Sequence, residues 1–129
     1  MSDLVPVLEA NRTVLVVEDH APTAEVLRGH LEGSGFRVLV AADGTAGMAM
    51  ARSGGVDLIT LDVLMEPVDG WSLFRMLRAE RGTSHIPVIF ISVVETRPPG
   101  TLADGYVTKP FRRRRLMEVV ERALEARQR

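Results

Sequence analysis

Short apolar runs rich in β-branched residues recur along the sequence and alternate with segments of helical periodicity. The runs are too short for helices and lack the polar–apolar alternation of half-exposed strands, which indicates strands buried on both faces. They occupy residues 13–17, 36–41, 56–61, 86–91 and 105–107. Because strands alternate with helices, we expect right-handed β-α-β crossovers and a mostly parallel sheet with helices on both faces.

Each helical segment carries an apolar stripe that can cover one face of this sheet. The stripes comprise Ala24, Leu27 and Leu31; Ala46, Ala49 and Met50; Leu73, Phe74 and Leu77; and Leu116, Val119, Val120, Ala123 and Leu124. We expect Trp71 to begin the third helix as packing surface. Glycines stand where the helical segments stop, and left-handed helix ends are expected there. These glycines are Gly33, Gly35, Gly54, Gly55 and Gly82.

The chain length of 129 residues is that of one compact domain. We expect this domain to span residues 12–127 and residues 1–11 to form a flexible leader. The leader contains Asp3 and Glu9 and lacks the basic start of an export signal. No apolar run approaches the roughly 20 residues needed to cross a bilayer. A cytoplasmic protein without membrane contact is therefore predicted.

Cysteine content and charge exclude several kinds of site. The chain has no cysteine, so disulfides, thiolate metal sites and thiol nucleophiles are excluded. The formal net charge of −1 gives no general attraction to nucleic acid, and we expect no direct binding to it. Residues 112–129 nevertheless contain seven arginines and three glutamates, with arginine at all of positions 112–115. This segment is either the solvated face of a terminal helix or a docking surface for a protein partner.

Polar side chains follow four of the five predicted strands. In a parallel sheet, ligands bind at the carboxyl ends of the strands, beside the point where strand order reverses. The polar residues at these ends are Glu18, Asp19, Asp62, Ser92 and Lys109. Three carboxylates brought together repel one another and raise each other's pKa unless a cation lies among them. Mg²⁺ suits such a site, because it prefers carboxylate and carbonyl oxygens together with water and a phosphate oxygen.

The two remaining groups fit phosphate chemistry. The Lys109 ammonium can bind phosphate oxygens, and the Ser92 hydroxyl can donate a hydrogen bond to a further phosphate oxygen. A carboxylate, a metal, a lysine and a hydroxyl together are what phosphoryl transfer onto an aspartate requires. These considerations leave open whether Asp62 or Asp19 is the acceptor.

Four segments resemble the receiver domain of two-component response regulators, the CheY-like family. They are residues 14–19 (VLVVED), Leu61-Asp62 with Asp69-Gly70, residues 87–89 leading to Ser92, and residues 106–111 (YVTKPF). The resemblance covers residues 13–124, nearly the whole chain. It implies a flavodoxin-like, doubly wound α/β fold with a five-stranded parallel sheet in the order 2-1-3-4-5.

The resemblance also implies a metal site and an acceptor. Asp62 would be the phosphorylated aspartate. The cofactor Mg²⁺ would be bound by Asp19, by Asp62 and by the backbone carbonyl of Leu64, and Glu18 would act on it through water.

The same resemblance implies a switch. Lys109 would hold the phosphoryl group, Ser92 would turn toward it, and Tyr106 would change rotamer as Ser92 moves. The Lys109–Pro110 peptide bond would be cis, which directs the lysine inward.

The sequence departs from the family pattern at two places. Glu66 stands where proline is usual, with Pro67 one position later. If Glu66 points inward, metal affinity could rise or phosphorylation could slow, whereas an outward Glu66 would do little. Only thirteen residues separate Ser92 from Tyr106, and they include Pro98, Pro99 and Gly100. The family's fourth helix is therefore expected to be short or missing.

Apolar residues near the acceptor predict slow loss of the phosphoryl group. Val93 stands where a small residue is usual, and Leu64 and Val94 add apolar bulk. Such neighbours neither orient nor admit an attacking water. A long-lived phosphoaspartate is therefore expected.

The leading hypothesis is a phosphoacceptor domain served by a histidine kinase or a phosphotransfer protein. It would catalyse its own phosphorylation and slow autodephosphorylation without being a turnover enzyme. A downstream protein would bind the last strand and the arginine-rich last helix, and the domain would be a monomer or a weak homodimer. The alternative is a phosphorylation-independent interaction module with the same fold. A phosphohydrolase is disfavoured, because Leu64 occupies the place of its usual second aspartate.

Overall fold

The computed structural model describes residues 12–94 and 102–127. Their elements follow one another as β1 (Thr13–Val17), α1 (Ala21–Glu32), β2 (Arg37–Ala41), α2 (Gly44–Arg52), β3 (Leu58–Leu61), α3 (Gly70–Ala79), β4 (Val88–Ser92), β5 (Gly105–Thr108) and α4 (Arg113–Arg127). In these residues, no helix is long and apolar enough to span a membrane.

The five strands form one parallel sheet in the order β2-β1-β3-β4-β5. This confirms the predicted flavodoxin-like fold. Every residue of β3 and β4 is buried, as predicted. The edge strands β2 and β5 differ from the prediction, because each keeps exposed and half-buried residues. Strand order reverses between β1 and β3, so a crevice is expected at the carboxyl ends of these two strands.

Helices cover both faces of the sheet, as the alternation of elements predicts. On one face α2 and α3 pack against the sheet through Met48, Ala51, Leu73 and Leu77. The stripe predicted for α2 was wrong, because Ala49 is exposed and Ala46 and Met50 are only partly buried. On the other face α1 and α4 pack through their apolar stripes, which match those read from the sequence. Burial of these stripes is the main source of stability for the two layers.

Three helices begin at side chains that accept hydrogen bonds from their own first turn. Asp43 Oδ1 accepts from Ala46 N at 2.8 Å in α2, and Asp69 Oδ1 accepts from Ser72 N at 2.7 Å in α3. His20 caps α1 through its ring nitrogen Nδ1. These caps satisfy backbone donors that a helix leaves without partners.

The glycine expectation holds for three of its five positions. Gly35, Gly54 and Gly55 have φ of 97°, 89° and 81°, which favours glycine. Gly33 was expected to be left-handed but ends α1 with φ of −63°. Gly82 is also absent from the left-handed residues of the described chain.

The connection from β4 to β5 is described at residues 93–94 and 102–104, and neither part is helical. Residues 95–101, with Pro98, Pro99 and Gly100, lie outside the described residues. The leader, residues 1–11, also lies outside them.

Asp104 fastens the start of β5 at the amino-terminal edge of the sheet. Its Oδ2 accepts hydrogen bonds from Arg78 Nη2 at 2.8 Å and from Val88 N at 2.9 Å. Its Oδ1 accepts from Arg127 Nε at 2.9 Å. One carboxylate therefore connects the ends of α3 and α4 with the beginnings of β4 and β5.

Candidate functional site

Three carboxylates meet at the carboxyl ends of β1 and β3. Glu18 and Asp19 follow β1, and Asp62 follows β3, which is the neighbour of β1 in the sheet. One carboxylate oxygen from each residue lies within 4.8 Å of the other two. The structure thus brings together the three acids that the sequence places at strand ends.

The three acids differ in their access to water. Glu18 is 3% exposed and Asp62 is 6% exposed, whereas Asp19 is open to solvent. Two of the carboxylates are therefore withdrawn from water and need local partners to offset the cost of burial. The third leaves the cluster open to an ion from solution.

Lys109 turns inward and reaches this cluster. Its Nζ lies 2.8 Å from Glu18 Oε1 and 3.5 Å from Asp62 Oδ2. Its backbone N donates to the carbonyl of Ser92 at 3.0 Å, which continues the pairing of β4 with β5. The Lys109–Pro110 bond is cis, as the family resemblance implies.

The electrostatics of Glu18 reflect a site with excess negative charge. Burial raises the pKa of the Glu18 carboxyl above its ordinary value, and the charge of Asp62 raises it further. Hydrogen bonds from Lys109 and from the backbone N of His20, which lies 3.1 Å from Oε2, act in the opposite direction. One ammonium facing three carboxylates leaves two negative charges unbalanced, and a divalent cation would balance them.

The donor set fits a hard divalent cation. The clustered ligand atoms are carboxylate oxygens, with no imidazole among them, and their spacing allows one ion to contact all three. Mg²⁺ favours such oxygens and retains water for its other positions. Leu64 lies beside Asp62, since its backbone N donates to Asp62 Oδ1 at 3.4 Å. The ligand role of its carbonyl stays a prediction.

Ser92 and Tyr106 lie on neighbouring strands and line a common cavity. Ser92, at the end of β4, is 2% exposed, and its Oγ accepts a hydrogen bond from Val94 N at 3.3 Å. The Tyr106 hydroxyl accepts from Ala103 N at 3.2 Å. Both side chains border a cavity of about 170 Å³. The two predicted switch residues thus face one cavity.

Gly70 has a role that the sequence analysis left unexplained. A Cβ atom at this position would collide with the backbone carbonyl of Asp62 and lie 2.7 Å from the Cα of Val63. The Gly70 N donates to the Val63 carbonyl at 2.9 Å. Only glycine lets α3 start this close to the end of β3, and the sequence signal for this is the Asp69-Gly70 pair at its fixed distance from Asp62.

The loop after Asp62 presents its unusual residues to solvent. Glu66 is exposed and precedes a cis peptide bond to Pro67. This is the outward alternative, for which little effect on the site is expected. Leu64, two residues after Asp62, is 56% exposed, and Val93, next to Ser92, is 58% exposed. Each of the two polar residues thus has an exposed apolar side chain close to it in the sequence.

Sequence comparison connects this site with a known family. The family model "Response regulator receiver domain" matches residues 14–121. The transcriptional regulatory protein CusR of Escherichia coli (strain K12) is 39% identical over 101 residues, which are 76% of this chain and 44% of CusR. The chain spans about half the length of the curated relatives it matches.

Solved structures share the fold. The receiver domain of a signal transduction histidine kinase from Syntrophus aciditrophicus is 30% identical with a TM-score of 0.81, covering 89% of this chain and 91% of that one. The receiver domain of the sensor histidine kinase PA1611 from Pseudomonas aeruginosa PAO1 is 26% identical with a TM-score of 0.80, covering 89% and 98%. Its magnesium ion is coordinated in the active site cleft. By sequence motifs, family match and fold, this chain belongs to the receiver domain family of two-component response regulators.

Proposed function

We propose that this chain is a phosphoacceptor switch in which Asp62 receives a phosphoryl group from a histidine kinase or a phosphotransfer protein. The observation that carries the proposal is the surroundings of Asp62. Its buried carboxylate lies in a cluster of three acids, with the Lys109 ammonium 3.5 Å away. A buried carboxylate next to a cation and a metal-binding set is suited to nucleophilic attack on phosphorus.

Phosphoryl transfer to Asp62 exchanges a P–N bond of the donor for a P–O bond. An Asp62 carboxylate oxygen attacks the phosphorus of a phosphohistidine, and a P–O bond forms as the P–N bond breaks. The imidazole nitrogen keeps the electron pair of the broken bond and takes a proton from water. Lys109 can then exchange its contact with Glu18 for one with the new phosphoryl oxygens, because its Nζ already lies between the two acids.

Mg²⁺ is the proposed cofactor, with Asp19, Asp62 and the Leu64 carbonyl as ligands and Glu18 acting through water. Support comes from the all-oxygen acidic cluster and from the magnesium ion in the cleft of the PA1611 receiver. When bound, Mg²⁺ offsets the negative charge that develops on the transferring group. The chain itself buries the carboxylates of Glu18 and Asp62 and holds their oxygens within 4.8 Å of one another.

The arginine-rich start of α4 is the proposed surface for a downstream protein. Residues 112–115 are all exposed. Elsewhere arginines pair with acids, as Arg28 does with Glu25 and Glu32. None of the arginines at 112–115 has an ion pair with a carboxylate of the described residues. Adjacent cations near a helix amino terminus do not favour the helix, so an acidic protein surface is the partner they suit.

We further propose a cytoplasmic domain that is monomeric or weakly dimeric, without direct contact with nucleic acid or membrane. Sedimentation with and without beryllofluoride, a phosphoryl analogue, tests the oligomeric state. Fully dimeric protein under both conditions would contradict this part of the proposal.

The experiment that tests the central proposal is incubation with acetyl phosphate and Mg²⁺, followed by intact mass measurement. We expect a gain of one phosphate that is lost in Asp62→Asn and kept in Asp57→Asn, a matched exposed aspartate. No uptake from acetyl phosphate or from a phosphorylated donor protein would instead favour the phosphorylation-independent interaction module.

A further inference from the structure

An aromatic cluster connects the predicted switch with α3. Phe90 lies at its centre and is 2% exposed. The Phe90 ring centroid is 4.5 Å from that of Trp71, 5.4 Å from that of Phe74 and 5.7 Å from that of Tyr106. Two of these rings belong to α3, one to β4 and one to β5. A displaced ring in such a cluster must be accommodated by its neighbours, because protein interiors are close-packed.

Trp71 borders the same space as the switch residues. The cavity of about 170 Å³ is lined by Trp71 as well as by Ser92 and Tyr106. Phe90 is two residues before Ser92 and is paired with Tyr106 in the sheet. The side chains of Phe90, Ser92 and Tyr106 therefore point to the same face of the sheet. Any side chain that enters this cavity therefore changes the surroundings of the Trp71 indole.

The hydrogen bonds around the cavity define one arrangement of the switch. Ser92 Oγ accepts from Val94 N, and the Tyr106 hydroxyl accepts from Ala103 N. If Ser92 turns toward a phosphoryl group on Asp62, the bond to Val94 is lost and space opens beside the Tyr106 ring. An aromatic ring that fills the cavity then covers part of the indole.

The start of α3 is also joined to the acceptor strand itself. The Gly70 N donates to the Val63 carbonyl at 2.9 Å, and the Asp62 backbone leaves no room for a side chain at position 70. Trp71 therefore follows a residue that is fixed against the phosphorylation site. Two separate contacts, one of backbone and one of aromatic rings, lead from that site to α3.

We infer that Trp71 is a working member of the switch in this chain, so that α3 senses the state of Asp62 through the cavity shared by Trp71, Ser92 and Tyr106. The inference rests on the proposed function, because it requires a phosphoryl group on Asp62. It adds a residue on α3 to the pair that the sequence identifies, and it makes α3 part of the surface that changes on phosphorylation.

Intrinsic fluorescence tests this inference, because Trp71 is the sole tryptophan of the chain. Beryllofluoride with Mg²⁺ serves as the probe, and fluorine NMR reports its binding independently. We expect a shift of the emission to shorter wavelength and weaker quenching by acrylamide when beryllofluoride is bound. Mg²⁺ alone is expected to leave the emission nearly unchanged.

Variants separate sensing by Trp71 from binding at Asp62. Tyr106→Ala is expected to lose the emission shift while still showing bound fluoride. Tyr106→Phe keeps the ring and is the matched control, which should retain the shift. Circular dichroism confirms that each variant is folded.

The outcomes distinguish failure of the Trp71 inference from failure of the proposed function. Bound fluoride without an emission shift in the native chain overturns the role of Trp71 alone, as does an undiminished shift in Tyr106→Ala. Absence of bound fluoride overturns the proposed function, and this inference with it. Hydrogen exchange gives a second measurement: slower exchange in α3 on beryllofluoride binding is expected in the native chain and not in Tyr106→Ala, and unchanged exchange in both contradicts the inference.

Discussion

Thr60 is a buried side chain whose hydroxyl has no hydrogen-bond partner among the described residues. It lies on β3 between β1 and β4 and is 1% exposed. A buried hydroxyl without a partner is unfavourable, so Thr60→Val, which keeps the shape, is expected to raise the free energy of unfolding by about 1 kcal/mol. Urea unfolding measures this. A loss of stability would show that the hydroxyl has a partner in solution.

Leu64 is proposed to lengthen the lifetime of the phosphorylated state. Its exposed apolar side chain stands two residues after Asp62, where it can neither orient nor activate a water. Leu64→Asn supplies a polar group and is expected to speed dephosphorylation in Mg²⁺ several-fold. Mass spectrometry after removal of the donor follows the decay.

A matched control for this change is Leu39→Asn, an exposed leucine on β2 at the opposite edge of the sheet from β5. It should decay like the native chain. Fast decay of the native phosphoaspartate, or equal rates in all three proteins, would contradict the prediction of a long-lived state.

Asp104 joins the ends of α3 and α4 to the starts of β4 and β5. Its side chain is 15% exposed and that of Arg78 is 22% exposed, so the pair is shielded from water. Asp104→Ala leaves the Arg78 cation without its acid and is expected to cost about 3 kcal/mol of unfolding free energy. Thermal or urea unfolding measures it.

The comparison for Asp104 is Glu80→Ala, which breaks the solvent-exposed pair between Arg52 and Glu80. Because solvent screens that pair, Glu80→Ala should lower the free energy of unfolding much less than Asp104→Ala does. Equal losses in the two variants would show that Asp104 does not fasten these elements together.

The elements themselves follow from local sequence patterns, and their long-range contacts do not. Apolar runs and helical stripes predict the strands and helices because burial dictates both. The contacts of Asp104 with Arg78 and Arg127 join residues far apart in sequence and leave no periodic signal. Gly33 keeps a right-handed conformation at the end of α1, and the left-handed residue comes two positions later at Gly35, a difference that the placement of glycines in the sequence does not reveal.

For the whole molecule, the sequence order of acids at strand ends was enough to predict that they converge. Parallel strands bring their carboxyl ends to one edge, so Glu18, Asp19 and Asp62 meet once the sheet forms. The strand order and the choice of acceptor came from the family resemblance. The place of Trp71 in the cavity was not predicted, because a helical stripe indicates burial but not which neighbour it contacts.

Metal binding should stabilise the entire fold, because the three acids are assembled only in the native state. A ligand that binds only the native state stabilises it by about 2.7 kcal/mol at about 100 times its Kd. Urea unfolding in Mg²⁺ and in EDTA is expected to show such a gain for the native chain and for Asp57→Asn, with most of it lost in Asp19→Asn. Equal stability with and without Mg²⁺ would contradict the proposed metal site.

The most direct test of the account is chemical identification of the phosphorylated residue. Borohydride reduces an aspartyl phosphate to homoserine, which peptide mass spectrometry can place in the sequence. After incubation with acetyl phosphate and Mg²⁺, we predict homoserine at position 62. Homoserine at position 19, or at no aspartate while phosphate is taken up, would contradict the claim that Asp62 is the acceptor.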